Sequence, residues 1–168
     1  MGEVKDLFNT EAVDKIKDIV NDADMCLFGT NLTKLPLSVR PMSTQKVDDE
    51  GAIWFLSSKS SSQNTDIEND SRVQLFYVHK GSAEYLSVYG TASIMVDPDL
   101  AKELWTPIAK TWFTEGVDDP DLSIIKVVPS DAFYWDTKHN KAVSLLKIMT
   151  GAVTGKTMDD SVKGKIKV

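Results

Sequence analysis

The chain reads as an α+β, mainly β domain: an antiparallel sheet curled into a barrel, with flanking helices. Three observations predict this. Short apolar, β-branched or aromatic runs recur through the chain, separated by turn signals such as Asp48-Asp49-Glu50-Gly51 and Lys80-Gly81-Ser82. Helical periodicity is confined to a few segments placed early, in the middle and late. No regular strand–helix–strand alternation appears, which argues against a doubly wound parallel sheet and for strands joined by tight turns.

The elements follow in order. Residues 3–21 place Val4, Leu7, Phe8, Val13, Ile16, Ile19 and Val20 near a 3.6-residue period, an amphipathic helix ended by the polar stretch 22–24. Residues 25–30 form an apolar run and 31–34 a turn. Residues 36–46 alternate as a strand, and Pro41, which cannot donate to a ladder, belongs at an edge or a bulge. An aromatic strand at 52–57 runs into a serine-rich loop and a short helix at 62–69, where serine can cap the first amides. Strands follow at 73–79 and 85–95, with Gly90 at a bulge or a close approach. Asp97-Pro98 starts a helix that Pro107 breaks. After a loop at 114–120 come two strands, 124–128 and 132–135, and a short helix at 140–151. The division expected is one domain over 1–155 and a solvated, lysine-rich tail over 156–168.

Composition narrows the function. A chain of 168 residues, 42% hydrophobic and 26% charged, suits one ordinary globular domain. No apolar run approaches the length of a membrane span, and the acidic N-terminus lacks a signal-peptide core, so a cytoplasmic location is expected. A net charge of −6 disfavours nucleic-acid binding. Cys26 is the one cysteine and reads as a small buried hydrophobe. His79 and His139 stand without Cys or carboxylate spacing of a zinc site and read as surface histidines, so no metal is expected. Phosphate-loop, dinucleotide and nucleophile-elbow motifs are absent, and no side chain is assigned a catalytic role.

Three features carry the candidate site. Arg40-Pro41-Met42 lies within a predicted strand, where an arginine either reaches solvent or faces an anion. The serine loop Ser57-Ser58-Lys59-Ser60-Ser61-Ser62 runs into a helix N-terminus, where exposed amides and hydroxyls can cradle a phosphate or simply form a loop. Arg40 and Ser57, on adjacent strands of a predicted hairpin, would converge on one anion. Aromatics around them, Trp54, Phe55, Trp112 and Phe113 among them, serve either as core or as walls for a planar ligand.

These residues, with Gly51 to Leu56, Val88-Tyr89-Gly90-Thr91-Ala92, Leu104-Trp105, Asp119-Pro120 and Ala132-Phe133-Tyr134-Trp135-Asp136, resemble the general stress protein branch of the pyridoxamine 5'-phosphate oxidase-like superfamily. The resemblance implies an FMN-binding split β-barrel, with FAD as the alternative cofactor. It also implies a homodimer with the flavin at the subunit interface, where the aromatics matching Trp112 and Phe113 approach from the partner. The cofactor-binding residues it implies are Arg40, Pro41, Met42, Trp54, Phe55, Leu56, Ser57, Ser58, Ser61, Ser62, Gln63, Trp112 and Phe113. Two departures stand out. The usual phosphate-loop lysine is Gln63, with Lys59 as the nearby substitute, and losing a charge-assisted hydrogen bond costs about 1.5–3 kcal/mol, roughly ten- to a hundredfold in affinity. No arginine follows Arg72, so the substrate-phosphate clamp of true pyridoxamine phosphate oxidases is missing. The functions weighed are a flavin-dependent oxidoreductase, a flavin-binding or storage module without turnover, and a dimeric scaffold that has lost its cofactor.

Overall fold

The computed structural model describes residues 3–5, 7–81, 83–137 and 161–167. The described elements are β1 (Glu3–Val4), β2 (Leu7–Phe8), α1 (Asn9–Ala23), β3 (Met25–Thr30), β4 (Ser38–Ser43), β5 (Lys46–Val47), β6 (Ile53–Ser58), α2 (Ser62–Asn69), β7 (Arg72–His79), β8 (Glu84–Met95), α3 (Pro98–Leu104), β9 (Leu122–Thr137) and β10 (Ser161–Lys167). Two short 3₁₀ turns, Pro107–Thr111 and Gly116–Asp118, separate α3 from β9. The helix expected at 140–151 lies outside the described residues. None of the described helices is long and apolar enough to cross a membrane.

All the strands join one sheet, with the path β1-β10-β9-β8-β7-β3-β4; β2 lies beside β10, and β5 and β6 join through β9. The sheet is mixed and open. β1 and β2 run parallel to β10, every other ladder is antiparallel, and the path ends at β4 without a closing ladder. The fold is therefore α+β and mostly β, and the expectation of a purely antiparallel sheet is corrected by the parallel pairing of β1 and β2 with β10. Pro41 sits on β4, which pairs only with β3, so its missing N–H costs no ladder bond.

β9 organises the sheet. The two strands expected around Pro129 are one strand of 16 residues. One edge pairs with β8 over most of its length. The other edge pairs with β6 up to Val127 and with β10 from Ala132. Pro129 falls in the gap between those two partners, where no donor is needed. Across from it the β8 register shifts between Tyr89 and Gly90. A Cβ on Gly90 would stand 2.3 Å from the Val128 carbonyl oxygen, so only glycine allows this approach.

The two ends of the chain also differ from expectation. Val4 and Leu7 belong to short strands, and the helix begins only at Asn9, because β10 offers these residues a partner. β10 itself comes from the segment expected to be a solvated tail. Its Ile166 is completely buried, against β9 on one side and β2 on the other.

Packing follows the alternation of side chains along each strand. Ile53, Phe55, Ile125 and Val127 face the main core, which α1 covers with Ala12, Ile16, Ile19 and Val20. Trp54, Leu56, Leu122 and Ile124 face a second cluster closed by Ala101, Leu104, Ala109 and Phe113. Phe28 and Phe55 meet edge to face at 5.1 Å in the main core. Cys26 is buried there, and burial pushes its thiol up to about 12, so it packs as a hydrophobe.

Gly90→Ala is expected to destabilise the fold by about 3 kcal/mol, because backbone must move to admit the methyl. Ile166→Ala is expected to cost about 2–5 kcal/mol, which urea unfolding measures directly. A loss below 1 kcal/mol for Ile166→Ala would mean that β10 does not belong to the cooperative core.

Candidate functional site

β6 delivers its side chains to two faces. Phe55 goes into the main core, while Leu56 reaches the opposite face beside Phe113. Ser57, the next residue, is nearly buried, and its hydroxyl donates to Asn64 Oδ1 at 2.9 Å. Asn64 in turn donates to Ser123 Oγ at 2.9 Å, and Ser123 donates to the Ser57 carbonyl at 3.0 Å. This closed network ties the end of β6 to the start of β9 and to the first turn of α2. Ser61 caps that helix by accepting from the Asn64 amide at 3.2 Å.

Above this network lies a cleft of about 420 Å³, in the range of small-molecule sites. Its walls are Met25, Pro41, Met42, Ser43, Gln45, Leu56, Ser57, Ser58, Ser61, Gln63, Ile108, Ala109, Trp112 and Phe113. None of the described wall residues is charged. The donors are serine hydroxyls, side-chain amides and the α2 N-terminus, whose first amides have no acceptor within the helix. Gln63 is 2% exposed, and its buried Nε2 has no hydrogen-bond partner. A buried, unsatisfied donor costs about 1–3 kcal/mol, which an acceptor bound in the cleft would recover.

Most of the expected residues meet at this cleft: Pro41, Met42, Leu56, Ser57, Ser58, Ser61, Gln63, Trp112 and Phe113. Four do not line it. Arg40 turns to α2, where Nη2 stands 3.5 Å from Asp66 Oδ2, already the acceptor of Thr30 Oγ1 at 2.6 Å. The other terminal nitrogen of Arg40, Nη1, is buried without a hydrogen-bond partner. Phe55 is core; Trp54 donates to Asp48 Oδ2 at 2.9 Å under the Lys126 ammonium; Ser62 is exposed on α2. Lys59 does not replace the missing lysine either, because its ammonium donates to the Pro120 carbonyl. Trp112 and Phe113 wall the cleft of their own chain, with Trp112 largely exposed at 73%.

Sequence reasoning missed Met25, Ser43, Gln45, Ile108 and Ala109. Ser43 and Gln45 follow directly on the Arg-Pro-Met run, and Met25 is the ladder partner of Ser43. Ile108 and Ala109 share the 3₁₀ turn that leads to Trp112.

The serine loop is anchored by Asp121. The Ser58 hydroxyl donates to it closely, and Ser60 adds its amide at 3.0 Å and its hydroxyl at 2.9 Å. The Ser58 hydroxyl, against partial desolvation and with help from Ser60, holds this carboxyl below the usual carboxylate range. The anchor is complete above that range and is lost as the pH falls through the lowered value.

The mostly-β sheet thus carries a neutral, hydroxyl-bearing cleft beside a helix N-terminus, of the size of a small-molecule site. The profile of pyridoxamine 5'-phosphate oxidase like proteins matches residues 11–159, and the chain belongs to that family. Protein bli-3 of Neurospora crassa is 27% identical over 112 residues, 62% of this chain and 54% of its own length, so the chain spans about half of that relative. General stress protein 26 of Bacillus subtilis is 30% identical over 96 residues, 55% of this chain and 68% of its own. Among solved structures, a general stress protein 26 from Jannaschia has the same fold, with a TM-score of 0.77 at 24% identity, covering 95% of this chain and 99% of that one. The general stress FMN/FAD binding protein of Xanthomonas citri has a TM-score of 0.64 at 25% identity, covering 77% and 90%.

Asn64→Ala is expected to cost about 1–3 kcal/mol in urea unfolding, because it strands the Ser57 and Ser123 hydroxyls. An unchanged midpoint would show that the network does not hold the cleft floor.

Proposed function

We propose that this chain is a flavin-binding protein of the split β-barrel, general stress protein type. It holds FMN, with FAD as the alternative, in the cleft between β4, β6, α2 and the Trp112 turn, and serves a flavin-dependent oxidoreductase reaction. Gln63 carries the reading: a buried donor without a partner, in the wall of an uncharged cleft, beside a serine-capped helix N-terminus. The residues present fit such a group. Ser57, Ser61, Gln63 and the first amides of α2 would hold the phosphate, and Pro41, Met42, Leu56, Trp112 and Phe113 would flank the ring system. The flavin supplies reversible electron transfer when bound. Among the described residues no acid or base lines the cleft, so their part is binding, orientation and exclusion of water. The same neutrality favours the second reading, a flavin-binding module without turnover. No arginine follows Arg72 in the sequence to clamp a substrate phosphate, which supports exclusion of pyridoxamine phosphate as substrate.

The active form is proposed to be a homodimer. Leu27 and Pro41 are ladder partners, Leu27 is also opposite Phe76, Val78 is opposite Tyr85, and Tyr85 is opposite Trp135. These residues make a continuous apolar face, with Leu27 50% and Val78 47% exposed. Met25 and Pro41 belong to both this face and the cleft rim, so a second copy on the face would also wall the site.

Titration of FMN, FAD and riboflavin, read by quenching of flavin fluorescence, tests the site. Saturable binding of FMN is expected. Gln63→Lys should tighten FMN by roughly ten- to a hundredfold while leaving riboflavin unchanged, because only the phosphate gains a counter-charge. Absence of saturable binding by FMN and FAD sinks the reading. Bleaching of the bound flavin by NADH or NADPH separates the oxidoreductase from the module without turnover.

Leu27→Glu is expected to give a monomer in light scattering and to weaken flavin binding. A variant that stays dimeric with full affinity would place the dimer contact elsewhere.

A further inference from the structure

The end of α1 and the β7–β8 hairpin meet at a cluster that linear spacing does not disclose. Asp22 lies in the last turn of α1, His79 ends β7 and Glu84 begins β8; their ligating atoms all lie within 4.8 Å of one another. His79 and Glu84 are ladder partners, with Nδ1 3.6 Å from Oε2. That separation is too long for a hydrogen bond. It is close to the spacing of about 3.4 Å between two ligand atoms that each lie about 2.1 Å from a tetrahedral cation.

The surroundings orient the donors and favour a cation. Lys15 contacts Glu84 Oε1 at 3.3 Å, which leaves Oε2 toward the imidazole, and Lys15 itself is held more closely by Asp136. Burial alone would lower the Lys15 pKa, but Asp136 and Glu84 outweigh it and raise it, so this ammonium stays charged and committed to them. Two carboxylates, Asp136 and Glu84, thus share one ammonium, and Asp22 adds a third negative charge beside Glu84. The last turn of α1 contains no basic residue, so the negative end of its dipole adds to the field. The imidazole rests on the hairpin: a Cβ at Gly81 would stand 3.1 Å from Cε1 and 3.2 Å from Nε2.

We propose that Asp22, His79 and Glu84 form a binding site for a divalent transition-metal cation of the Zn²⁺ type, with one imidazole nitrogen, two carboxylate oxygens and a remaining position for water. The imidazole selects against Mg²⁺ and Ca²⁺, which prefer oxygen alone. The bound ion pins the C-terminal end of α1 to the β7–β8 hairpin and so stabilises the packing of α1 on the sheet. His79, which reads as an isolated surface histidine in the sequence, becomes the central ligand.

Tag-free, full-length protein stripped with EDTA is titrated with Zn²⁺ by calorimetry, and its thermal unfolding is followed with Zn²⁺ and with Mg²⁺. The expected result is saturable binding of Zn²⁺ and a rise in melting temperature with Zn²⁺ but not with Mg²⁺. His79→Ala should weaken Zn²⁺ by roughly tenfold or more. Asp22→Asn, at an exposed side chain, should weaken it while leaving the metal-free melting temperature unchanged. Gly81→Ala removes no ligand but crowds the imidazole, and should weaken Zn²⁺ as well. No saturable binding, or equal affinity in the wild type, His79→Ala and Asp22→Asn, overturns the proposal.

Discussion

The backbone pairing of β9 is the constraint on which the rest of the molecule depends. One strand holds β8 along one edge and divides the other between β6 and β10. Both faces of its first half are covered, Ile125 and Val127 by the main core and Leu122 and Ile124 by the second cluster. The division needs a point without a ladder donor on one side and room for close approach on the other. Pro129 supplies the first and Gly90 the second. The ends of the chain then follow, because β10 recruits β1 and β2 in parallel.

The cleft is a consequence of the same pairing. Ser57 faces Ser123 across the β6–β9 ladder, and Asn64 closes the triangle from α2. The helix N-terminus is therefore set by hydrogen bonds to two strands, and Ser61 and Gln63 are presented on a rigid base. Asp121, just before β9, holds the loop from the other side. The charged groups nearest the cleft in sequence are directed elsewhere, Arg40 Nη2 toward Asp66 and Lys59 to the Pro120 carbonyl. What remains is a site of dipoles and apolar surface, suited to orienting a ligand.

Much of the site was legible because its residues are close in sequence. The run from Leu56 to Gln63 spans one strand end, one loop and one helix start, and local turn and capping chemistry identifies it. Strand alternation was harder to use, since it says that Phe55 and Leu56 part company but not which of them meets the ligand. Arg40 shows the limit. Its charge and strand position were visible, but its approach to Asp66 depends on where α2 packs on the sheet.

The sequence by itself determined the mostly-β α+β class, the succession of the central strands along the chain, the placement of Pro41 at an edge or a bulge and the serine-capped start of α2, because each rests on residues within about ten positions of one another. Only the tertiary structure decided that Val4 and Leu7 are strand rather than helix, that Pro129 interrupts nothing, and that the lysine-rich end contributes a buried Ile166. It also decided that Asp22, His79 and Glu84 meet. Those outcomes depend on partners far along the chain, and an extended segment carries no mark of the neighbour that will satisfy its backbone.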